Sequence, residues 1–139
     1  MFIRFMLIWL TTILLITACA GDPQSAAALE AFEKGNTNLE RSWVIPAITE
    51  YDKAIALDPD FIDAYNNRGW AYGSKGEMDQ AIADFDRAIE LNPDDAEAYN
   101  NKGLSKLNLG QKDSGCLDLS KAGEMGYMQA YGSIKQYCQ

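Results

Sequence analysis

One interval governs this chain. Ala64-Tyr65-Asn66-Asn67 returns as Ala98-Tyr99-Asn100-Asn101, 34 residues later. Gly69 and Gly76 return as Gly103 and Gly110 at the same interval. Going backwards, Ala81, Phe85, Ala88, Ile89, Leu91 and Pro93 answer to Ala47, Tyr51, Ala54, Ile55, Leu57 and Pro59. A fixed period of this length belongs to stacked units, none of which can bury its apolar face alone. Inside each unit the apolar spacing is helical. Asp58-Pro59-Asp60 and Asn92-Pro93-Asp94-Asp95 stop the pattern, because proline disfavours helix in the residue before it. The spacing therefore predicts helices over about 62–74, 79–91, 96–108 and 112–123, with Gly76 allowing a tight turn. Pro46 suits the first turn of a further helix over about 46–57, which carries Ala47, Ile48, Tyr51, Ala54 and Ile55 at helical spacing.

Residues 65–93 resemble a tetratricopeptide repeat. That pattern asks for an aromatic, then Leu-Gly, a Tyr, an Ala, a Phe and a Pro at set offsets. The matching places hold Tyr65, Arg68-Gly69, Tyr72, Ala81, Phe85 and Pro93. Tyr65 stands for Trp and Arg68 for Leu, and both are departures. The small residues Gly69, Ala81 and Ala88 meet the need of two helices to approach closely. The resemblance implies an all-α fold, an α-solenoid of about three antiparallel helix-turn-helix repeats (26–61, 62–95 and 96–126) with a capping helix over 127–139. An unrelated amphipathic helical bundle is the alternative.

The outer repeats depart from the middle one. In repeat one the first helix is expected from Ala26 to about Arg41, after a tether over 19–25. Asp22-Pro23 offers a cap and a first-turn proline. Thr37, Asn38 and Ser42 replace residues that pack or turn, so an irregular turn is expected before Pro46. In repeat three Gly115 stands for the expected Ala, Leu119 for the aromatic, and no Pro follows Met125. Ala130-Tyr131 then answers to Ala98-Tyr99 at an interval of 32, so the connector is shortened by two. Ala130, Tyr131, Ile134 and Tyr137 would form one apolar face, and Ser133, Lys135 and Gln136 a polar one, as a terminal cap requires.

Residues 1–18 read as a targeting segment. Arg4 precedes an apolar run from Phe5 to Ile16, and Thr17 and Ala18 are small. Ile16-Thr17-Ala18-Cys19 resembles a bacterial lipobox, which implies cleavage before Cys19 and lipid on its sulfur. Ala20 after that cysteine implies, in a Gram-negative host, sorting to the outer membrane on its periplasmic side. The alternative is an uncleaved anchor with an incidental cysteine, although residues 2–20 are marginal for a span that needs about 20 apolar residues. Each buried lipid methylene would contribute about 0.8 kcal/mol to membrane attachment.

Charge narrows the partners. The chain carries a formal charge of −8, and removal of residues 1–18 leaves 11 basic against 20 acidic side chains, a net −9. Nucleic-acid backbones and anionic head groups are repelled by such a surface, so no nucleic-acid partner is expected. With no histidine there is no imidazole base or pH switch. No phosphate-cradling loop, no nucleophile with its base and no metal-ligand spacing is present, so no enzyme activity, metal or cofactor is expected. The Asp-Pro-Asp and Pro-Asp-Asp clusters read as turn residues that bond their own backbone.

If Cys19 takes lipid, Cys116 and Cys138 remain. A disulfide between them would staple the cap to the array, worth about 3 kcal/mol, and such bonds persist outside the cytosol. Two packed free thiols are the alternative. The pair lacks the Cys-x-x-Cys spacing of redox catalysts.

What is left is surface. The resemblance implies a concave groove lined by the first helices of the repeats. Carried onto this chain, its places are Asp63, Asn66, Asn67, Trp70 and Ser74, then Glu97, Asn100, Asn101, Leu104 and Asn108, with Phe32, Glu33 and Asn36 from repeat one. Relatives that clamp a C-terminal carboxylate use Lys and Arg at such places, and none of these residues is basic, so that activity does not transfer. Asn both donates and accepts, so an Asn ladder beside Trp70 and Leu104 could hold an extended segment. The competing reading is that Asn66 and Asn67 brace neighbouring helices. The function expected is a lipid-tethered adaptor at the bacterial envelope, holding a peptide or helix of a partner, for instance during assembly of an envelope complex. The alternative is a structural lipoprotein that self-associates as a homo-oligomer and has no peptide client.

Overall fold

The computed structural model describes residues 22–139, which form seven α-helices and, among the described residues, no strand. They are α1 (Pro23–Glu40), α2 (Val44–Leu57), α3 (Ile62–Ser74), α4 (Met78–Leu91), α5 (Ala96–Asn108), α6 (Lys112–Glu124) and α7 (Met128–Tyr137). The expected signal segment and Cys19 lie outside the described residues. Within each of the hairpins α1/α2, α3/α4 and α5/α6 the two helices pack on each other. The second helix of one hairpin packs on the first helix of the next, and α1, α3 and α5 also touch in series. The fold is an all-α solenoid of three hairpins closed by α7.

Each start and stop has a local cause. Pro23 occupies the first turn of α1, and the Asp22 side chain accepts from the Gln24 N–H at 3.2 Å. Residues 23–25, expected in the tether, are therefore helical. Between the helices of one hairpin the chain closes by the same pair of bonds each time. The Gly76 N–H donates to the Gly73 carbonyl at 2.9 Å, and the Glu77 N–H to that of Tyr72 at 3.0 Å. This double closure needs a left-handed residue, and Gly76 and Gly110 have φ of 83° and 77°. Ser42 holds the same place in repeat one with φ 61°; its N–H donates to the Leu39 carbonyl and the Trp43 N–H to that of Asn38, both at 2.8 Å. The irregular turn expected before Pro46 is thus a regular closure, built on a residue that carries a Cβ.

Between hairpins the chain leaves the helix in extended form, at Asp58 and again at Asn92. The Asp60 N–H then bonds the Asp58 carboxylate at 3.0 Å, and the Asp94 N–H the Asn92 side chain at 3.2 Å. These residues are turn formers, 34 positions apart.

The last junction departs from this scheme. After α6 the chain closes like a turn within a hairpin. Gly126 has φ 87°, its N–H bonds Gly123, and the Tyr127 N–H bonds Ala122. With no proline to stop it in extended form, the connector uses the shorter turn, and this accounts for the two missing residues. Helix α7 packs chiefly on α6 and reaches α5. Ala130 is fully buried, whereas Tyr131 and Tyr137 of the expected apolar face remain about half exposed. The Tyr131 hydroxyl donates to the Gly123 carbonyl at 3.0 Å. Cys116 in α6 and Cys138 at the end of α7 are joined, with Cα atoms 5.7 Å apart.

The core repeats with the period. Tyr51, Phe85 and Leu119 are the largest fully buried side chains, one in each hairpin. Each lies over a glycine of the partner helix. A Cβ built on Gly35 would sit 2.5 Å from the Tyr51 ring, and one on Gly69 would sit 2.9 Å from the Phe85 ring. In the third hairpin a Cβ on Gly103 would meet the Gly115 carbonyl at 2.8 Å and Leu119 at 2.9 Å. The smaller Leu119 and the bare Gly115 act together there: α5 and α6 close in where Ala and an aromatic keep the other pairs apart.

Candidate functional site

The first helices line two adjoining hollows. One, of about 260 Å³, is walled by Trp70, Gly73, Met78, Phe85, Asn101, Leu104 and Asn108. The other, of about 520 Å³, is walled by Asn36, Leu39, Glu40, Asn66, Asn67, Trp70, Glu97 and Asn101. Trp70 and Asn101 belong to both. Trp70 is half exposed, and Leu104 occupies its place one period later. Of the places expected in the groove, Asn36, Asn66, Asn67, Trp70, Ser74, Glu97, Asn101, Leu104 and Asn108 meet here.

The others do not. Phe32 packs in the core, with its ring 4.8 Å from that of Phe61 and 5.9 Å from that of Tyr51. One period on, the same pair of places holds Asn66 and Asp95, and the Asn66 amide donates to the Asp95 carboxylate at 2.7 Å. This register position points at the start of the next hairpin. Asn66 is thus a brace that only edges the groove. Asn100 falls at the same position, is buried, and donates to Asn101 at 3.2 Å, so it does not present itself to a partner. One residue along a helix turns the side chain by about 100°, which separates Asn100 from Asn101. Asp63 sits in a neighbouring depression among Asp58, Asp60, Asp94 and Asp95, which borders the larger hollow at Asn66 and Glu97, and Glu33 lies in another with Glu30 and Lys34.

Sequence reasoning missed Leu39, Glu40, Gly73 and Met78. Glu40 was within reach of the period, being 34 residues before Ser74. Gly73 leaves the hollow open, since a Cβ there would touch only Ala81 at 4.0 Å.

The asparagines are held from behind. Asn36 Oδ1 accepts from both the Tyr51 hydroxyl at 2.9 Å and the Asn67 amide at 2.8 Å. Burial pushes the Tyr51 phenol up to about 12, so it remains a donor at physiological pH. Among the described residues, no intrachain bond engages the Asn36 amide N–H₂, the Asn67 Oδ1 or the Asn101 N–H₂. The groove therefore offers a donor, an acceptor and a donor in line along α1, α3 and α5.

No basic residue lines either hollow. The cations are used elsewhere. Arg68, the departure from Leu, grips Asp84 through Nε at 2.8 Å and Nη2 at 2.6 Å, and reaches Asp52 through Nη1 at 2.7 Å. The trio returns one period on, with Lys102 placed 3.2 Å from Asp86 and 3.3 Å from Asp118. Burial works against the charge on Arg68, but the hydrogen bonds and charge of Asp84 outweigh it and hold the guanidinium above its ordinary value. Burial raises the Asp84 carboxyl against the pull of Arg68. Among the described residues, no group of acidic and cysteine side chains is arranged to hold a metal ion, and no helix is long and apolar enough to cross a membrane.

A stack of helical hairpins open along one concave side is an α-solenoid of repeats. Models of the tetratricopeptide repeat match residues 62–95 and 85–116, and a TPR repeat model matches 46–76. The chain is built of tetratricopeptide repeats. Its backbone is similar to that of the first TPR of Spaghetti (RPAP3) bound to the HSP90 peptide SRMEEVD, with 26% identity, TM-score 0.80, and coverage of 83% of this chain and 93% of that one. It is also similar to the TPR2B domain of yeast Sti1 in its pHsp70 complex, with 27% identity, TM-score 0.72, and coverage of 81% and 90%. MamA is 30% identical with TM-score 0.71, over 78% of this chain and 63% of its own. No curated protein sequence matches the chain.

Proposed function

We propose that this protein is a non-enzymatic adaptor that holds an extended segment of a partner protein across α3 and α5, and that lipid on Cys19 tethers it to a bacterial envelope membrane. The observation that carries the groove reading is Trp70, half exposed on the concave side and shared by two hollows. A large aromatic in that position supplies contact area at low entropic cost. Repeats of the same fold hold peptides in the RPAP3 complex, which supports the reading. The tether rests on the apolar run and on Ile16-Thr17-Ala18-Cys19. The Cys116–Cys138 bond fits the same compartment.

One experiment addresses both parts. A photoreactive residue replaces Trp70 in the full chain, and native membranes are irradiated. A discrete crosslinked partner is expected in the membrane fraction, absent when the crosslinker sits at Leu117 on α6 instead. Cys19→Ala should move the protein out of that fraction. In pull-downs of the captured partner, Trp70→Ala with Asn101→Ala should lose it while helicity is kept. Undiminished capture by the double variant rejects the groove. A second reading, self-association, has its own observation: Leu29, Trp43 and Ile45 of the first hairpin are all more than half exposed. Sedimentation that shows a stable oligomer with residue 70 crosslinked to a second copy would favour it.

A further inference from the structure

The two hollows differ in chemistry, and the difference specifies a guest. Resting on the groove reading above, we infer that the segment it holds is cationic: a Lys or Arg side chain enters the larger hollow between Glu40 and Glu97, and an apolar side chain two positions away enters the smaller one against Leu104.

The argument begins with charge. Glu40 ends α1 and Glu97 lies in the first turn of α5, so they approach the larger hollow from opposite repeats. Among the described residues neither has a cationic partner within salt-bridge distance. Of the nearby cations, Lys34 is bound to Glu30, Arg68 to Asp84 and Asp52, and Lys102 to Asp86 and Asp118, while Arg41, next to Glu40, lies 5.3 Å over the Trp43 ring and lines a different depression with Glu30, Glu33 and Glu50. The surrounding walls are Asn36, Asn66, Asn67, Asn101 and the Trp70 indole, which are neutral. A cation placed there lies in the field of an unpaired carboxylate on either side of the hollow and against an aromatic wall, and displaces no resident cation.

The smaller hollow carries no charge. Trp70, Met78, Phe85 and Leu104 give it apolar walls, and Gly69 and Gly73 lower its floor. Because Trp70 and Asn101 border both spaces, one extended segment can place side chains two positions apart, which share a face, one in each. Its backbone would lie along the free amide groups of Asn36, Asn67 and Asn101. The peptide SRMEEVD of the RPAP3 complex, with three acidic side chains and one Arg, has the wrong balance for this lining.

The test uses the full chain in detergent micelles and three labelled, C-terminally amidated heptapeptides read by fluorescence anisotropy. One alternates Arg and Leu between serines, a second replaces its arginines with glutamine, and a third replaces them with glutamate. The arginine peptide should bind about tenfold or more tightly than the glutamine one, and the glutamate peptide should not bind. Glu40→Gln with Glu97→Gln should remove that preference with no loss of helicity. Raising salt should weaken the arginine peptide and leave the glutamine one unchanged. Equal or tighter binding of the glutamine or glutamate peptide, or no binding of the arginine peptide, overturns the inference. If that binding is still lost with Trp70→Ala, the groove reading survives. If arginine-peptide binding is indifferent to Trp70→Ala, both fail.

Discussion

At Gly35, Gly69 and Gly103 a missing methyl group decides how close two helices come. The clearest case is Gly103, where a Cβ would lie 2.8 Å from a carbonyl oxygen that cannot swing away. Gly103→Ala should therefore cost about 1–3 kcal/mol, the range of overpacked cores. Gly132 is the control, because nothing lies within 4 Å of a Cβ there, and α7 would gain helix propensity. Gly132→Ala should stabilise by about 0.5–1 kcal/mol. Urea unfolding of both variants measures the contrast, and like signs for the two would refute this account of the packing. These glycines were legible as a period. The direction of a neighbouring side chain was less so: Asn100 and Asn101 look alike in sequence, yet one is buried and the other lines the groove.

Between elements, the recurrent ion trio does what a leucine would do by contact alone. Arg68 of α3 binds Asp84 of α4 and Asp52 of α2, so three consecutive helices meet at one guanidinium. The Asp84 side chain is only 7% exposed, whereas that of Asp52 is 52% exposed. Asp84→Ala should cost about 2–3 kcal/mol, below the usual penalty for splitting a buried pair because Asp52 still serves Arg68. Asp52→Ala should cost less than about 1 kcal/mol. Arg68→Leu combined with Asp84→Leu should be milder than Asp84→Ala, since it leaves no buried charge. Denaturation midpoints for the set give the order, and a double variant worse than both singles would contradict it. The trio could have been found from sequence. Asp52, Arg68 and Asp84 are spaced by 16 and return as Asp86, Lys102 and Asp118. Set against the family pattern, Arg68 looked like a lapse; set against its own period, it is part of the design. Ser42 shows the opposite error, where a missing glycine suggested an irregular turn that the backbone makes anyway.

Taken whole, the molecule is a short array whose last helix is secured twice, by packing of Ala130 and by the Cys116–Cys138 link. Replacing both cysteines with serine should lower stability by up to about 3 kcal/mol for a crosslink spanning 22 residues. Hydrogen exchange should show where: amides of α7 should open first while those of α3 and α4 keep their protection. Uniform loss across the chain would mean that the link constrains more than the cap. The hairpin order was readable because every stop residue recurs, but the junction at residues 125–127 carries no proline and was not. That junction has a consequence for anyone who would lengthen the array. Despite its tighter turn, α7 packs on α6 and reaches α5 as α3 packs on α2 and reaches α1, so it keeps the seat of a first helix. A second helix joined after Tyr137 would therefore complete a fourth hairpin with residues 125–127 left as they are.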